Sequence, residues 1–517
     1  MSFSAAYFIT FITSFCILVI EIVAGRILAP FVGVSLYTWT SIIGVVLAGI
    51  SIGAYLGGKL ADRFPERRTV GWLLFAGGLA TLSVPSVTSL VAAYGFPASL
   101  MVRILIVTTL TFFLPSCVLG MISPVVVRLA IRDMQTAGNV VGRIYAVSTL
   151  GSIIGTFAAG FYLISWMGTR QIILVMGGIL VLTALTWGSL FRSRKALAGF
   201  VLLPSLLVWS YYDGAFTPPL TADTLCYKES DYYTIKVRTV PASDGKATLR
   251  TLVLDNLIHS YVNPGDPLHI EYRYEKIYTD VLEWRFPKDE AFKSLTIGAG
   301  GYTFPRYMEV SYPRAQIDVV EIDPEVTRVS YDYLGLPGNT KIRTFNEDGR
   351  WYVMNCRERY DLLFIDAYND LSLPYHLTTA EFALMLKDRM NPGGIMLTNI
   401  IDNFQSGSFL PSYVRTLREV FGDHNVFVLS VSPDFARTRI STFIVMTGKG
   451  SIDAGSFGAF LKRRGGDEAT SAIMPEAMLE SLLGKSRSVV LRDDYAPVDN
   501  LILPVFGARF GYNRKER

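Results

Sequence analysis

Acidic residues are nearly missing from the first 212 positions. Only Glu21, Asp62, Glu66 and Asp133 occur there, against thirteen lysines and arginines. A water-exposed domain of that size needs charges of both signs over its surface, so this stretch is not an ordinary soluble domain. Cysteine is scarce too. Cys16, Cys117, Cys226 and Cys356 are far apart, and no CxxC pair or Cys/His cluster occurs. That excludes a disulfide framework and a zinc site, and all four are read as unpaired thiols. Histidine occurs four times, always after position 212. That later part holds 35 bases against 40 acids, a balance that argues against a nucleic-acid partner.

What fills the first 212 residues is apolar. Runs lie at 7–29, 36–58, 70–94, 103–130, 143–165, 171–191 and 197–212. Each of the first six is long enough to cross a hydrocarbon core about 30 Å thick. The first run is too long for a cleavable signal and lacks a basic leader. Lys59, Arg63, Arg67 and Arg68 follow run two, Arg128, Arg132 and Arg143 flank the loop after run four, and Arg192, Arg194 and Lys195 follow run six. Basic loops stay in the cytoplasm, which puts the N-terminus there as well. The seventh run is short and contains Pro204. If it spans, the later part lies outside; the reading favours an interfacial segment and a cytoplasmic catalytic domain. Glycines crowd runs two and five, which suits close helix packing rather than a pore. The stretch "GAYLGGKLADRFPERR", Gly53 to Arg68, resembles the loop after the second helix of major facilitator transporters.

The expected organisation is a transmembrane bundle at 1–212, a linker at 213–222, a small antiparallel β subdomain at 223–285 and a Rossmann-like catalytic domain at 286–517. "YYTIKVRTV" and "TLRTLVLDNLIHSYV" read as strands around the turn signal "PASDGKA". From Leu295 strand and helix patterns alternate: "SLTIGAG", "QIDVVEID", "KIRTF", "YDLLFIDAY" and "GGIMLTNII", with "NVFVLSV" and "STFIVMTG" as a late strand pair. Such alternation predicts a doubly wound sheet that binds ligands at the carboxyl ends of its strands.

Those ends carry the chemistry. After the first strand stand Gly298, Gly300 and Gly301, where a backbone can turn tightly against a ligand. The second strand ends at Glu321, placed to bind ribose hydroxyls, with Asp323 two residues on. "NEDGRWY" sets Asp348 and Gly349 after the third strand, and "LLFIDAYND" sets Asp366 after the fourth, with Asp370 beyond it. A nicotinamide site needs diphosphate room and usually a third glycine, where this chain has Thr303. The series suits a cofactor with one nucleoside and no phosphates.

From "YYTIKV" to "STFIVMTG" the order of motifs resembles the spermidine synthase family, the polyamine aminopropyltransferases, and in particular its membrane-fused bacterial members. The resemblance implies a Rossmann-like fold of the spermidine synthase and methyltransferase type. It implies S-adenosylmethionine or its decarboxylated form as co-substrate, without a metal, and an amine or polyamine acceptor. It implies that Glu321 binds the ribose, Asp348 and Gly349 the adenine, and His259 the donor near its sulfur. "YRYEKIY" implies that Tyr274 and Glu275 serve the acceptor, and Asp366 takes or orients the amine proton. Asp255, Asp370 and His376 are further acceptor-side candidates. Three departures stand out, one being that Asn369 stands at the second acid of the catalytic loop, with Asp370 one place later. The family's glycine turn ends in an acid that holds the donor ammonium, and here that place falls on Gly301. A later acceptor-side tyrosine falls on Phe435. Without that acid a donor carboxylate is not repelled, and Arg306 is positioned to attract it. The reading therefore leans to N-methyl transfer from S-adenosylmethionine, with aminopropyl transfer as the alternative. A nucleoside or polyamine sensor, or a transporter-like protein, is the competing class. The lipid bilayer is the expected environment, and a homo-oligomer is left open.

Overall fold

The computed structural model describes residues 1–94, 100–187, 220–369, 372–435, 440–464, 471–485 and 487–505. The expected seventh run, most of the linker, and Asp370 lie outside the described residues. The chain packs as two units, one of residues 1–221 with 229–233 and the other of 222–228 with 234–516.

Among the described residues of the first unit, six helices are long and apolar enough to cross a membrane: Phe3–Val32, Leu36–Arg63, Arg67–Val91, Leu100–Ala130, Met134–Trp166 and Thr169–Trp187. They follow the first six apolar runs. Their glycines are used for close approach. A Cβ on Gly53 would lie 2.1 Å from the Cys117 carbonyl oxygen, and one on Gly151 would lie 2.4 Å from that of Phe11. Backbones this close gain dispersion contact that lipid cannot replace, which is how apolar helices associate without a hydrophobic drive.

The second unit opens with a four-stranded antiparallel sheet in sequence order: β1 (Thr224–Glu229), β2 (Thr234–Pro241), β3 (Thr248–Leu254) and β4 (Leu257–Val262). The helix Arg273–Arg285 follows. Then come β5 (Lys293–Ile297), β6 (Gln316–Val320), β7 (Arg343–Phe345), β8 (Tyr360–Ile365), β9 (Met390–Asp402), β10 (Val426–Ser430), β11 (Ser441–Gly448) and β12 (Ala472–Ile473). They form one sheet in the order β12-β10-β11-β9-β8-β5-β6-β7. The strands from β9 across to β7 are parallel, while β11, β10 and β12 add antiparallel. The sheet is thus mixed rather than parallel throughout. The short link from β10 to β11 can only return antiparallel, whereas the helices between β5 and β9 permit parallel crossovers.

The strand order reverses at β5, which has β6 on one side and β8 on the other. A crevice opens outside the strand ends at such a switch point. The strands that lead to these ends are sealed from solvent at Leu295, Val319, Leu362, Leu363, Phe364, Leu397 and Ile444. Apolar β-branched and aromatic side chains on both faces explain why these strands read as continuous apolar runs.

Candidate active site

The glycine turn and Asp366 meet at the switch point. The Asp366 N–H donates to the Ile297 carbonyl at 2.9 Å, and the Gly298 N–H to that of Val320 at 2.8 Å. Gly298 has φ +94° and Gly300 φ +49°, the left-handed region that favours glycine. The next residue but one, Tyr302, is also left-handed at φ +58°. Its sealed side chain reaches Thr327 and Thr344, at 3.1 Å each, and holds the turn to the helix Pro324–Tyr333 and to β7.

Asp366 is the hub. Its Oδ2 accepts from the Tyr274 hydroxyl at 3.1 Å and its Oδ1 from the Asn399 side-chain amide at 2.8 Å. Tyr274 comes from the first turn of Arg273–Arg285, and Tyr278, one turn on, is buried beside Asp366. Burial pushes the Asp366 carboxyl up to about 6, although hydrogen bonds from Asn399 and Tyr274 oppose that rise. Glu275 shares the helix and is buried. Its Oε2 has no hydrogen-bond partner among the described residues. Burial first, and then the charge of Asp366, raise Glu275 well above the usual carboxylate range. A buried acid without a partner is costly, and a cationic ligand would relieve that cost.

Glu321 is buried at the end of β6. Its Oε2 accepts from the Ala299 N–H at 2.9 Å and its Oε1 from the Asp323 N–H at 3.0 Å. Burial lifts it to about 7 against those bonds. Each oxygen keeps a lone pair for a sugar hydroxyl. Asp323 is sealed and caps the helix Pro324–Tyr333 by accepting from the Glu325 N–H at 2.9 Å. Asp348 caps Gly349–Asn355, with Oδ1 accepting from the Arg350 and Trp351 N–H groups, both at 2.9 Å. Burial pushes Asp348 up, but these bonds and His376 outweigh it and leave it below the usual value. A Cβ on Gly349 would lie 2.5 Å from Ile297 Cγ2, so this glycine lets the capped helix sit against β5. Behind it, Arg350 makes a two-pronged pair with Asp493, at 2.6 and 2.5 Å, and also donates to the His376 carbonyl at 3.0 Å. His259, on β4, has a buried Nε2 with no partner among the described residues, and burial lowers its imidazole to about 4.

Several expectations change. His376 pairs with Asp348, its Nε2 lying 2.9 Å from Asp348 Oδ2. Asp255 is a turn residue between β3 and β4, with φ +52°, and its Oδ1 accepts from the Thr234 N–H at 2.9 Å. It is buried, and this bond ties the turn to the start of β2. Arg306 is equally committed. Its guanidinium donates to the carbonyls of Leu334 at 3.1 Å and Pro264 at 3.3 Å, which ties two loops together. Such a group has little left for a donor carboxylate. Gly301 also changes meaning. A Cβ there would lie 2.7 Å from Val262 Cγ2 and 2.9 Å from Ser260 Cβ. A side chain at 301 therefore runs into β4. Gly301→Asp is expected to lower the melting temperature and weaken both donors alike; a folded variant that exchanges one donor for the other would overturn this.

Asn399 and Tyr278 were not singled out from sequence. Asn399 sits in an apolar run, where its one legible signal was an amide in the middle of "LTNII". Tyr278 follows Tyr274 at helical spacing, which reads equally as core.

Residues 298–454 match the spermine/spermidine synthase domain. A probable polyamine aminopropyl transferase of Bifidobacterium longum is 30% identical over 226 residues, 41% of this chain and 49% of that protein. The polyamine aminopropyltransferase of Corynebacterium efficiens is 26% identical over 408 residues, 74% of each chain. The chain thus spans about half the length of the first of these relatives. A probable spermidine synthase structure from Corynebacterium glutamicum is 18% identical, with a TM-score of 0.45, and covers 54% of this chain and 99% of that one. Residues 298–454 are thus similar to a spermine/spermidine synthase domain, and the relatives include polyamine aminopropyltransferases. These relatives favour the aminopropyl alternative over the methyl lean.

Proposed function

We propose that the protein is a membrane-bound polyamine aminopropyltransferase, with its catalytic domain in the cytoplasm, that uses decarboxylated S-adenosylmethionine. The observation that carries this is the pairing of Asp366 with a second, unpartnered buried acid, Glu275, at the glycine turn. One carboxylate suffices to deprotonate an amine. A second one suits an acceptor that keeps another nitrogen charged.

In this reading the glycine turn and Glu321 cradle the nucleoside ribose, and Asp348, backed by His376, meets the adenine edge. The unpartnered Nε2 of neutral His259 offers the donor a hydrogen bond. The acceptor nitrogen attacks the carbon next to the sulfonium. The new C–N bond forms as the C–S bond breaks, and its electron pair goes to sulfur, which leaves as a neutral thioether. The nitrogen's excess proton passes to Asp366, which Tyr274 and Asn399 hold in place. Most of the acceleration comes from alignment of the two substrates. The methyl lean rested on Gly301 and Arg306, and both now have packing roles.

The test is product mass from the purified full-length protein, given a polyamine and either donor. Gain of C3H7N with the decarboxylated donor is expected. Gain of CH2 with S-adenosylmethionine would restore methyl transfer, and donor binding without any product would favour a sensor.

A further inference from the structure

Three partly exposed tyrosines lead away from Asp366. Tyr274 donates to the Asp366 carboxylate at 3.1 Å. The Tyr272 ring centroid lies 5.3 Å from that of Tyr274, and the Tyr261 ring lies 4.9 Å beyond, edge-on. Tyr272 is fixed by its hydroxyl, which donates to the Ile258 carbonyl at 2.6 Å. None of the three is sealed in the core. Tyr274 packs against the domain core, and Tyr272 and Tyr261 continue the row as partly exposed rings.

An acid stands at each end. The inner end holds Asp366 and Glu275. At the other end Glu271 immediately precedes Tyr272 in the chain. The Glu271 carboxylate is itself held, with Oε1 accepting from the Ser243 N–H at 2.9 Å and Oε2 lying 2.9 Å from His269 Nε2. Burial pushes this acid up, but those bonds outweigh it and keep it charged.

The charge count selects the ligand. In amine alkylation one nitrogen reacts as the neutral base, and every other nitrogen stays protonated. A diamine leaves one ammonium, which the unpartnered Glu275 Oε2 satisfies. It leaves the tyrosine row and Glu271 unused. A linear triamine leaves two ammoniums separated by methylene spacers. Spacers of three or four carbons, with bonds of about 1.5 Å, match the ring-to-ring step. Aromatic walls suit both parts, since methylenes pack on rings and ammonium groups are drawn to their faces.

We propose that Tyr274, Tyr272 and Tyr261, ending at Glu271, form an outer acceptor subsite that selects linear triamines over diamines. This rests on the amine-transferase reading above. The test is kcat/KM of the full-length protein with the decarboxylated donor, for a linear triamine and a four-carbon diamine. The triamine is expected to be favoured about tenfold or more, the equivalent of about 1.4 kcal/mol. Glu271→Gln and Tyr272→Leu are each expected to shrink that triamine-to-diamine ratio at least about threefold, with the loss mostly in KM. A wild-type ratio at or below one, or a ratio that neither variant moves, overturns the subsite while leaving the transferase standing. No turnover of any amine overturns both.

Discussion

An Asp366→Asn protein is expected to bind the donor nucleoside and lose kcat by about 100- to 10,000-fold, the usual range for removal of a positioned general base. The amide is close in shape. It cannot accept a proton, and it presents an NH2 group to either the Tyr274 hydroxyl or the Asn399 amide, both of which donate in the wild type. The wild-type pH profile gives an independent signature. Burial raises Asp366 to about 6. Only the ionised carboxylate takes a proton, so kcat should fall as pH drops through about 6 rather than near 4. The stability linkage has the opposite sense. A carboxyl raised by the fold favours the folded state below its unfolded value, and that contribution is lost as pH rises through about 6. Activity and this part of stability should therefore cross. Single-turnover rates from pH 5 to 8, with donor binding measured separately, check both. An asparagine variant that retained wild-type kcat, or a profile flat through pH 6, would remove Asp366 from the base role.

Gly298→Ala is the second large effect, and it is structural. The added Cβ would lie 2.3 Å from the Asp366 carbonyl oxygen and 2.8 Å from the Ala367 Cα. Neither side can retreat freely, because the Gly298 and Asp366 N–H groups are both bonded into neighbouring strands. The φ of +94° adds strain for any residue with a Cβ. Clash and strain of about 1–3 kcal/mol each place the cost at roughly 2–6 kcal/mol. The catalytic domain should melt at markedly lower temperature and lose donor affinity. Gly338→Ala, where nothing lies within 4 Å of the added Cβ, serves as the near-neutral control. A Gly298→Ala protein as stable as that control would contradict the contact between the donor turn and the Asp366 strand.

The amount legible in sequence follows from the range of each interaction. The strand after Leu295, the turn at Gly298 and the acids at 321, 348 and 366 were readable because they recur at the ends of apolar strands. The six long apolar helices were readable because hydropathy is local. The partners of Asp255, His376 and Arg306 were not readable, for the converse reason. Each is a polar residue near a motif, and sequence spacing does not reveal which partner takes its charge. Thr234, Asp348 and the Leu334 carbonyl took them, from 21, 28 and 28 residues away.

By itself the sequence determined the division into an apolar, acid-poor part and a more polar α/β part, and the order of glycine turn and acids at the strand ends. Both are properties of composition and strand-end position along one chain. Tertiary structure alone decided which way Gly301 faces, that Asn399 holds Asp366, and that Glu275 is buried with an open oxygen. It also lined up Tyr261, Tyr272 and Tyr274 between two acids. Those facts depend on the direction of side chains contributed by separate elements. The reversal of strand order at β5 brings those elements together, and no local pattern encodes it.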